Sequence, residues 1–209
     1  MFSRMWLNKL VLFVALLVPA LSLLWRMIYG ELGAEPVETL HHETGQWGLR
    51  ILIMTLAITP LRRVTGQTAW LHLRRMLGLY AFFYIFLHLA IYLVLEISFD
   101  PYEIEKDLLK RPYMMLGFAS FLLMLPMAIT SNSWSMKRLG RNWKRLHKAM
   151  YVLTPMALLH FLLATKADFL EPLIYIYISL PLFAMRSKRF TISRRKPVDV
   201  AKGEEMSSV

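Results

Sequence analysis

Long apolar runs separated by short polar stretches set the pattern of this chain. Six stand out: Trp6–Tyr29, Trp47–Leu61, Leu77–Glu96, Tyr113–Ile129, Met150–Ala164 and Phe169–Met185. A helix that crosses the hydrocarbon core needs about 20 apolar residues, so the shorter runs are expected to extend as helix into the flanking interface. The predicted fold is all-α, an integral membrane bundle of six transmembrane helices over residues 1–190, followed by a polar, loose tail over 191–209. A charged start before an apolar run is also the layout of a signal peptide. Here the run continues to Ile28 with no clear small-x-small cleavage site after it, which favours a first spanning helix, and Trp25, Arg26 and Tyr29 suit its outer interface.

The polar stretches differ in character. Gly30–Gly48 carries four glutamates and reads as a solvated loop or partner contact, with the adjacent His41 and His42 a weak metal motif because helix neighbours point different ways. The second helix is expected to stop at Thr59-Pro60. Pro101–Lys110 reads as a short helix on the outer surface, with Ile104 and Leu108 on one face and acids on the other; it docks a partner or rests on the bilayer. Ser131–Lys148 is the most basic connection, with Trp134 and Trp143 interleaved. It reads as topogenic and lipid-anchoring, or as a site for a flavin phosphate, a quinone headgroup or an electron donor.

Composition agrees with a membrane protein: of 209 residues 56% are hydrophobic and 19% charged, at a mean hydropathy of +0.43. The net charge of +11 is a matter of topology and implies no nucleic acid. Nineteen of the 25 Lys and Arg fall on the termini and alternate connections, whereas Arg26, Arg50, Lys106, Lys110, Arg111 and Lys166 share the other side with 11 of the 14 acids. By the positive-inside rule both termini are cytoplasmic, and the first, third and fifth spans run outward. The absence of cysteine excludes disulfides, thiolate metal sites and covalent c-type heme, so any heme is b-type. There is no G-x-G-x-x-G fingerprint for oxidising NAD(P)H, nor any nucleophile-base-acid set for hydrolysis.

Against this background the histidines carry the chemistry. An ionisable side chain inside hydrocarbon is costly, and a functional site with a partner is the default, a structural hydrogen bond being the plain alternative. His88 lies within LHLAIYLVLE, and His160 lies within RLHKAMYVLTPMALLHF, whose basic end carries His147. His147 is 13 residues before His160 and Arg74 is 14 before His88, so both inner histidines are expected about 20 Å above a basic boundary on parallel helices. Two neutral imidazoles facing each other across a bundle are able to ligate a heme iron. His147 is out of phase with His160 by about 220° on an ideal helix, and Pro155 is where the phase would be corrected. Arg74 is a poor iron ligand but a good partner for a heme propionate, flavin phosphate or quinone oxygen, with an inner anchor as the alternative. His72 is expected at the surface. Most of Phe82, Phe83, Tyr84, Phe86 and Tyr92 are expected to make lipid or core contacts. A proton-coupled transporter with a histidine relay is the competing class; no mid-helix acid and no inverted repeat supports it.

The segments RLGRNWKRLHKAMYVL, RPYMMLGFAS and LHLAIYLVLE, with the six-helix pattern, resemble the MsrQ (YedZ) family over about Trp6 to Lys188. Members are heme-binding membrane subunits of bacterial periplasmic methionine sulfoxide reductase systems, within the ferric-reductase-like transmembrane superfamily. The resemblance implies a multi-pass protein of the bacterial inner membrane. It passes electrons from the quinone pool or a cytoplasmic flavin reductase, through heme b, to a periplasmic molybdenum-containing methionine sulfoxide reductase subunit. It also implies FMN binding, His88 and His160 as heme ligands and His147 as the third heme-associated histidine. Related two-heme reductases carry a histidine where this chain has Arg74, so a second bis-histidine heme lacks one ligand here. A stand-alone ferric or cupric reductase is the alternative within the same class.

Overall fold

The computed structural model describes residues 2–165 and 168–186, with side chains from residue 6 onward; the tail expected at 191–209 lies outside the described residues. The described residues form helices and connections without a strand. They are α1 (Phe2–Ile28), α2 (Pro36–Thr65), α3 (Leu71–Ile91), α4 (Pro101–Lys110), α5 (Pro112–Ile129), α6 (Ser133–Leu139), α7 (Arg141–Leu146), α8 (Met150–Ala164) and α9 (Leu170–Arg186). A 3₁₀ turn at Thr68–Trp70 leads into α3, a π turn at Tyr92–Glu96 prolongs it, and a 3₁₀ turn at His147–Ala149 leads into α8.

Four helical stretches are long and apolar enough to cross a membrane: Trp6–Ile28, Thr68–Glu96, Pro112–Ile129 and Arg141–Ala164. The remaining two of the six apolar runs fall in α9, which has 17 residues, and in α2. The second helix is less apolar for a physical reason: it is the one most surrounded by protein. Ile51, Leu52 and Leu56 are at most 1% exposed, and its polar Thr44 and Thr55 bond back to the carbonyls of Leu40 and Ile51. Its Arg50 reaches Tyr175 Oη at 2.7 Å and Gln46 Oε1 at 2.7 Å, while Gln46 reaches Glu171 Oε2 at 2.6 Å, which ties α2 to α9 through a charge that has partners.

Two expectations about α2 are corrected. It begins at Pro36, inside the stretch read as a loop, because proline suits the first helical turn where its missing N–H costs nothing. It also runs through Pro60 to Thr65, ending at Gly66 in a left-handed cap whose N–H bonds Arg62 O at 2.9 Å. A buried proline removes one helical hydrogen bond, and packing on both sides carries the helix past it.

The most extensive packing joins α2 to α3, and next α5 to α8. Two tyrosines of α3 fasten α1. Tyr80 donates to Phe13 O at 3.0 Å. The fully buried Tyr84 donates to Leu16 O at 2.7 Å and accepts from Ala20 N at 3.0 Å. Its hydroxyl therefore stands inside the α1 hydrogen-bond ladder, between two groups that would otherwise bond each other, beside Pro19. Tyr92 donates to Asp107 Oδ2 at 2.9 Å, and Asp107 is 6% exposed. The helix expected at Pro101–Lys110 is present with those bounds, but one of its acids faces inward against the bundle and anchors it. Tyr84 and Tyr92 thus have specific polar partners, whereas Phe83 and Phe86 are exposed and Phe82 stacks on Phe121. His72 is exposed, as expected.

Candidate heme site

His88 on α3 and His160 on α8 come together: their ring centroids are 6.2 Å apart and nearly perpendicular. Two imidazoles on one metal, each bonded at about 2 Å, put ring centres about 6 Å apart. The two side chains are seated in the same way. His88 Nδ1 is 2.9 Å from His41 O on α2, and His160 Nδ1 is 2.6 Å from Tyr113 O on α5, in both cases across 47 residues. A carbonyl only accepts, so each Nδ1 carries the proton and each Nε2 keeps its lone pair, the tautomer that a metal-ligating histidine needs.

A glycine lies one helical turn beyond each carbonyl. A Cβ on Gly45 would fall 2.9 Å from His88 Nδ1, and one on Gly117 would fall 2.7 Å from His160 Nδ1. No side chain other than hydrogen fits, so each ring lies directly against the neighbouring backbone. The α2–α3 and α5–α8 pairs are therefore two copies of one device: a carbonyl, a glycine one turn later, and a histidine on the partner helix. The residues fit a b-type heme held by His88 and His160.

His41, expected in a solvated loop as half of a weak metal motif, belongs to this site instead. It lies in α2, its ring stacked on His88 with centroids 4.0 Å apart and Nε2 3.2 Å from His88 Nε2, while its Nδ1 is 2.7 Å from Glu96. Treating residues 30–48 as loop hid this contact; with the helix starting at Pro36, His41 and Gly45 share a face. His42 points elsewhere, toward Phe161 and Gln46.

The other two candidates sit at the opposite end of the bundle. His147 is not part of α8 but of the 3₁₀ turn before it, stacked on Trp143 at 3.8 Å, with Nδ1 3.0 Å from Trp143 O. Three 3₁₀ residues add about 60° to the winding, so the phase between His147 and His160 is altered at this turn as well as at Pro155. Arg74, in the first turn of α3, is near enough to His147 for their charges to interact. The structure therefore brings His88 and His160 together, and leaves Arg74 and His147 at the other end of the bundle. Among the described residues no three His, Cys, Asp or Glu side chains group as a metal site.

Residues 44–158 match the family model described as ferric reductase like transmembrane component. The chain is 48% identical over 176 residues to a protein of Xanthomonas axonopodis pv. citri, covering 82% of this chain and 81% of that one. It is 42% identical over 190 residues to a protein of Brucella anthropi, covering 91% and 86%, and 40% identical to one of Caulobacter vibrioides, covering 90% of each. All three are named protein-methionine-sulfoxide reductase heme-binding subunit MsrQ. No solved structure matches. With the family model matching more than half of the chain, through His88 and up to two residues before His160, and relatives aligned over most of its length, this membrane protein belongs to the MsrQ family of ferric-reductase-like transmembrane proteins.

Proposed function

We propose that the chain is the membrane electron-transfer subunit of a periplasmic methionine sulfoxide reductase system, with six spans, both termini cytoplasmic, in the bacterial inner membrane. His88 and His160 hold one heme b near the outer side. The observation that carries this reading is their matched seating: two imidazoles 6.2 Å apart, each with Nδ1 committed to a carbonyl, which reserves the Nε2 lone pair for a metal; at His88 that nitrogen is 3.2 Å from His41 Nε2, which a bound iron would displace. Bound heme supplies a one-electron relay. The protein fixes the tautomer through the two carbonyls and, with Gly45 and Gly117, lets each ring lie against the neighbouring helix backbone.

Arg74 and His147 belong to the basic end, where electrons enter from the quinone pool or a flavin donor, with FMN or quinone as the group they contact. Arg74 supplies charge, and His147 is at most one protein ligand. The acceptor is a periplasmic molybdenum-containing catalytic subunit. The test is the absorption spectrum of the purified protein: a low-spin bis-imidazole Soret band in the wild type, lost in His88→Ala and in His160→Ala. Retention of that spectrum in both variants refutes the ligand assignment. Arg74→Ala and His147→Ala are expected to slow reduction by a quinol or reduced flavin while sparing the outer heme spectrum. Wild-type rates in both remove the entry site.

One observation favours a second reading. Glu96, His41 and His88 form a continuous titratable chain, with contacts of 2.7 and 3.2 Å, which is the layout of a proton path. A purified protein without a Soret band selects it.

A further inference from the structure

The side of the bundle opposite the candidate heme site holds a buried cation that the positive-inside rule does not explain. All eleven acids among the described residues lie in the α1–α2 connection and the start of α2, in the stretch from Glu96 through α4, or at the start of α9. The other end holds Arg62 and Arg63 in the last turn of α2, Arg74 in the first turn of α3, and Arg186 in the last turn of α9. A surface arginine there needs only water and lipid. Arg186 is 9% exposed.

Its partners are neutral. Nη2 donates to Thr59 Oγ1 at 2.7 Å, and the guanidinium lies over the Tyr151 ring, 5.5 Å from its centroid. Nε is buried with no acceptor. Arg74 and Arg63 are near enough for their charges to act on Arg186, and Tyr151 is near both Arg74 and Arg186. Arg63 donates to Met185 O, which holds it at the same corner. Among the described residues one other side-chain nitrogen or oxygen is buried without a partner: Nε1 of Trp70. Trp70 is four residues before Arg74 in a continuous helical stretch, so the two share a face. A buried guanidinium beside other guanidinium groups is unfavourable without an anion; among the described residues no carboxylate meets Arg186, and its Nε lacks an acceptor.

We infer that Arg186, Arg74, Arg63 and Trp70 form a binding site for a phosphate group at the basic end of the bundle. The arginine fork matches a tetrahedral oxyanion with paired N–H donors, and a phosphate offers enough oxygens to meet Arg186 Nε, Arg74 and Trp70 Nε1 together. The phosphate belongs to a phospholipid headgroup of the adjoining leaflet or to a soluble phosphate ester. The inference deepens the reading of the basic end given above and uses it only for orientation. Its test reads binding alone, so its failure leaves the outer heme spectrum, and the reading built on it, untouched.

The full chain, stripped of lipid in detergent, is titrated with inorganic phosphate at constant ionic strength, with chloride as the counterpart, and the melting temperature is followed. Phosphate is expected to raise it saturably where chloride does not. The apparent Kd rises at least tenfold in Arg186→Gln and in Arg74→Gln, and less in Trp70→Phe, which removes only the indole N–H. Arg186→Lys keeps the charge without the fork and also weakens binding, which decides the matter if Arg186→Gln does not fold. Native mass spectrometry of protein extracted without delipidation separates the sources. One retained phospholipid, lost in Arg74→Gln, identifies the headgroup; no retained lipid, with a soluble phosphate ester stabilising the protein in nanodiscs, identifies the ester. Equal effects of phosphate and chloride on the wild type, or phosphate stabilisation unchanged in Arg186→Lys, Arg74→Gln and Trp70→Phe, overturn the inference.

Discussion

Gly117→Ala is the sharpest probe of the histidine seating. The added Cβ would stand 2.7 Å from His160 Nδ1 and 2.8 Å from Cε1. Ordinary contact is about 3.5 Å, so the ring retreats by about 0.8 Å. The hydrogen bond to Tyr113 O, 2.6 Å in the structure, then stretches to about 3.4 Å, outside the normal range. Losing that bond costs about 1 kcal/mol and overpacking about 1–3 kcal/mol, while alanine returns about 0.5–1 kcal/mol of helix preference. The net destabilisation is about 1–3 kcal/mol, a fall in Tm of about 2–10 °C for a chain of this size. A Nε2 moved by much more than the roughly 0.2 Å tolerance of a metal bond also ligates poorly, so low-spin character falls. The control is Gly78→Ala, whose Cβ meets Thr55 Cγ2 at 3.9 Å and displaces nothing. Thermal unfolding and the Soret band are read for both variants. If Gly117→Ala matches Gly78→Ala in both, the close seating of His160 is wrong.

Tyr84→Phe removes the hydroxyl that bridges Ala20 N and Leu16 O; thermal unfolding should show a loss of about 1–2 kcal/mol, reduced to the extent that the α1 ladder closes on itself. Asp107→Ala leaves the Tyr92 hydroxyl without its acceptor and should cost about 1–3 kcal/mol, with faster hydrogen exchange in α4, whereas Asp107→Asn keeps an acceptor and should lose less; equal exchange in both variants would detach α4 anchoring from this bond. Because the chain has no cysteine, single cysteines at Glu43, Glu105 and Arg141 report topology directly: labelling outside, outside and inside is expected, and any other pattern refutes the proposed six-span arrangement.

Much of this protein is legible in the sequence because a bilayer leaves few solutions. Backbone groups in hydrocarbon must bond within their own helix, so apolar runs announce helices, and the charge of the connections sets the sidedness expected of them. The short helix Pro101–Lys110 was readable from Pro101 and the amphipathic spacing. His88 and His160 stand out because polar groups are rare in such runs, and His147 and Arg74 through their 13- and 14-residue spacing from them. What the sequence left open are relations between helices. The start of α2 at Pro36 was hidden because four glutamates look like loop, and with it the stacking of His41 on His88. The inward turn of Asp107 depends on Tyr92 of another helix. The use of Tyr84 within the α1 ladder depends on a residue 68 positions away. Gly45 and Gly117 look like ordinary helix glycines until the packed pairs α2–α3 and α5–α8 bring an imidazole against each. Arg186 reads as one more cytoplasmic cation, and only packing against Thr59 and Tyr151 shows it buried. Local periodicity and charge act within one segment, so sequence determines them; the partner of a buried polar atom is chosen by how segments pack, and only the tertiary structure decides it.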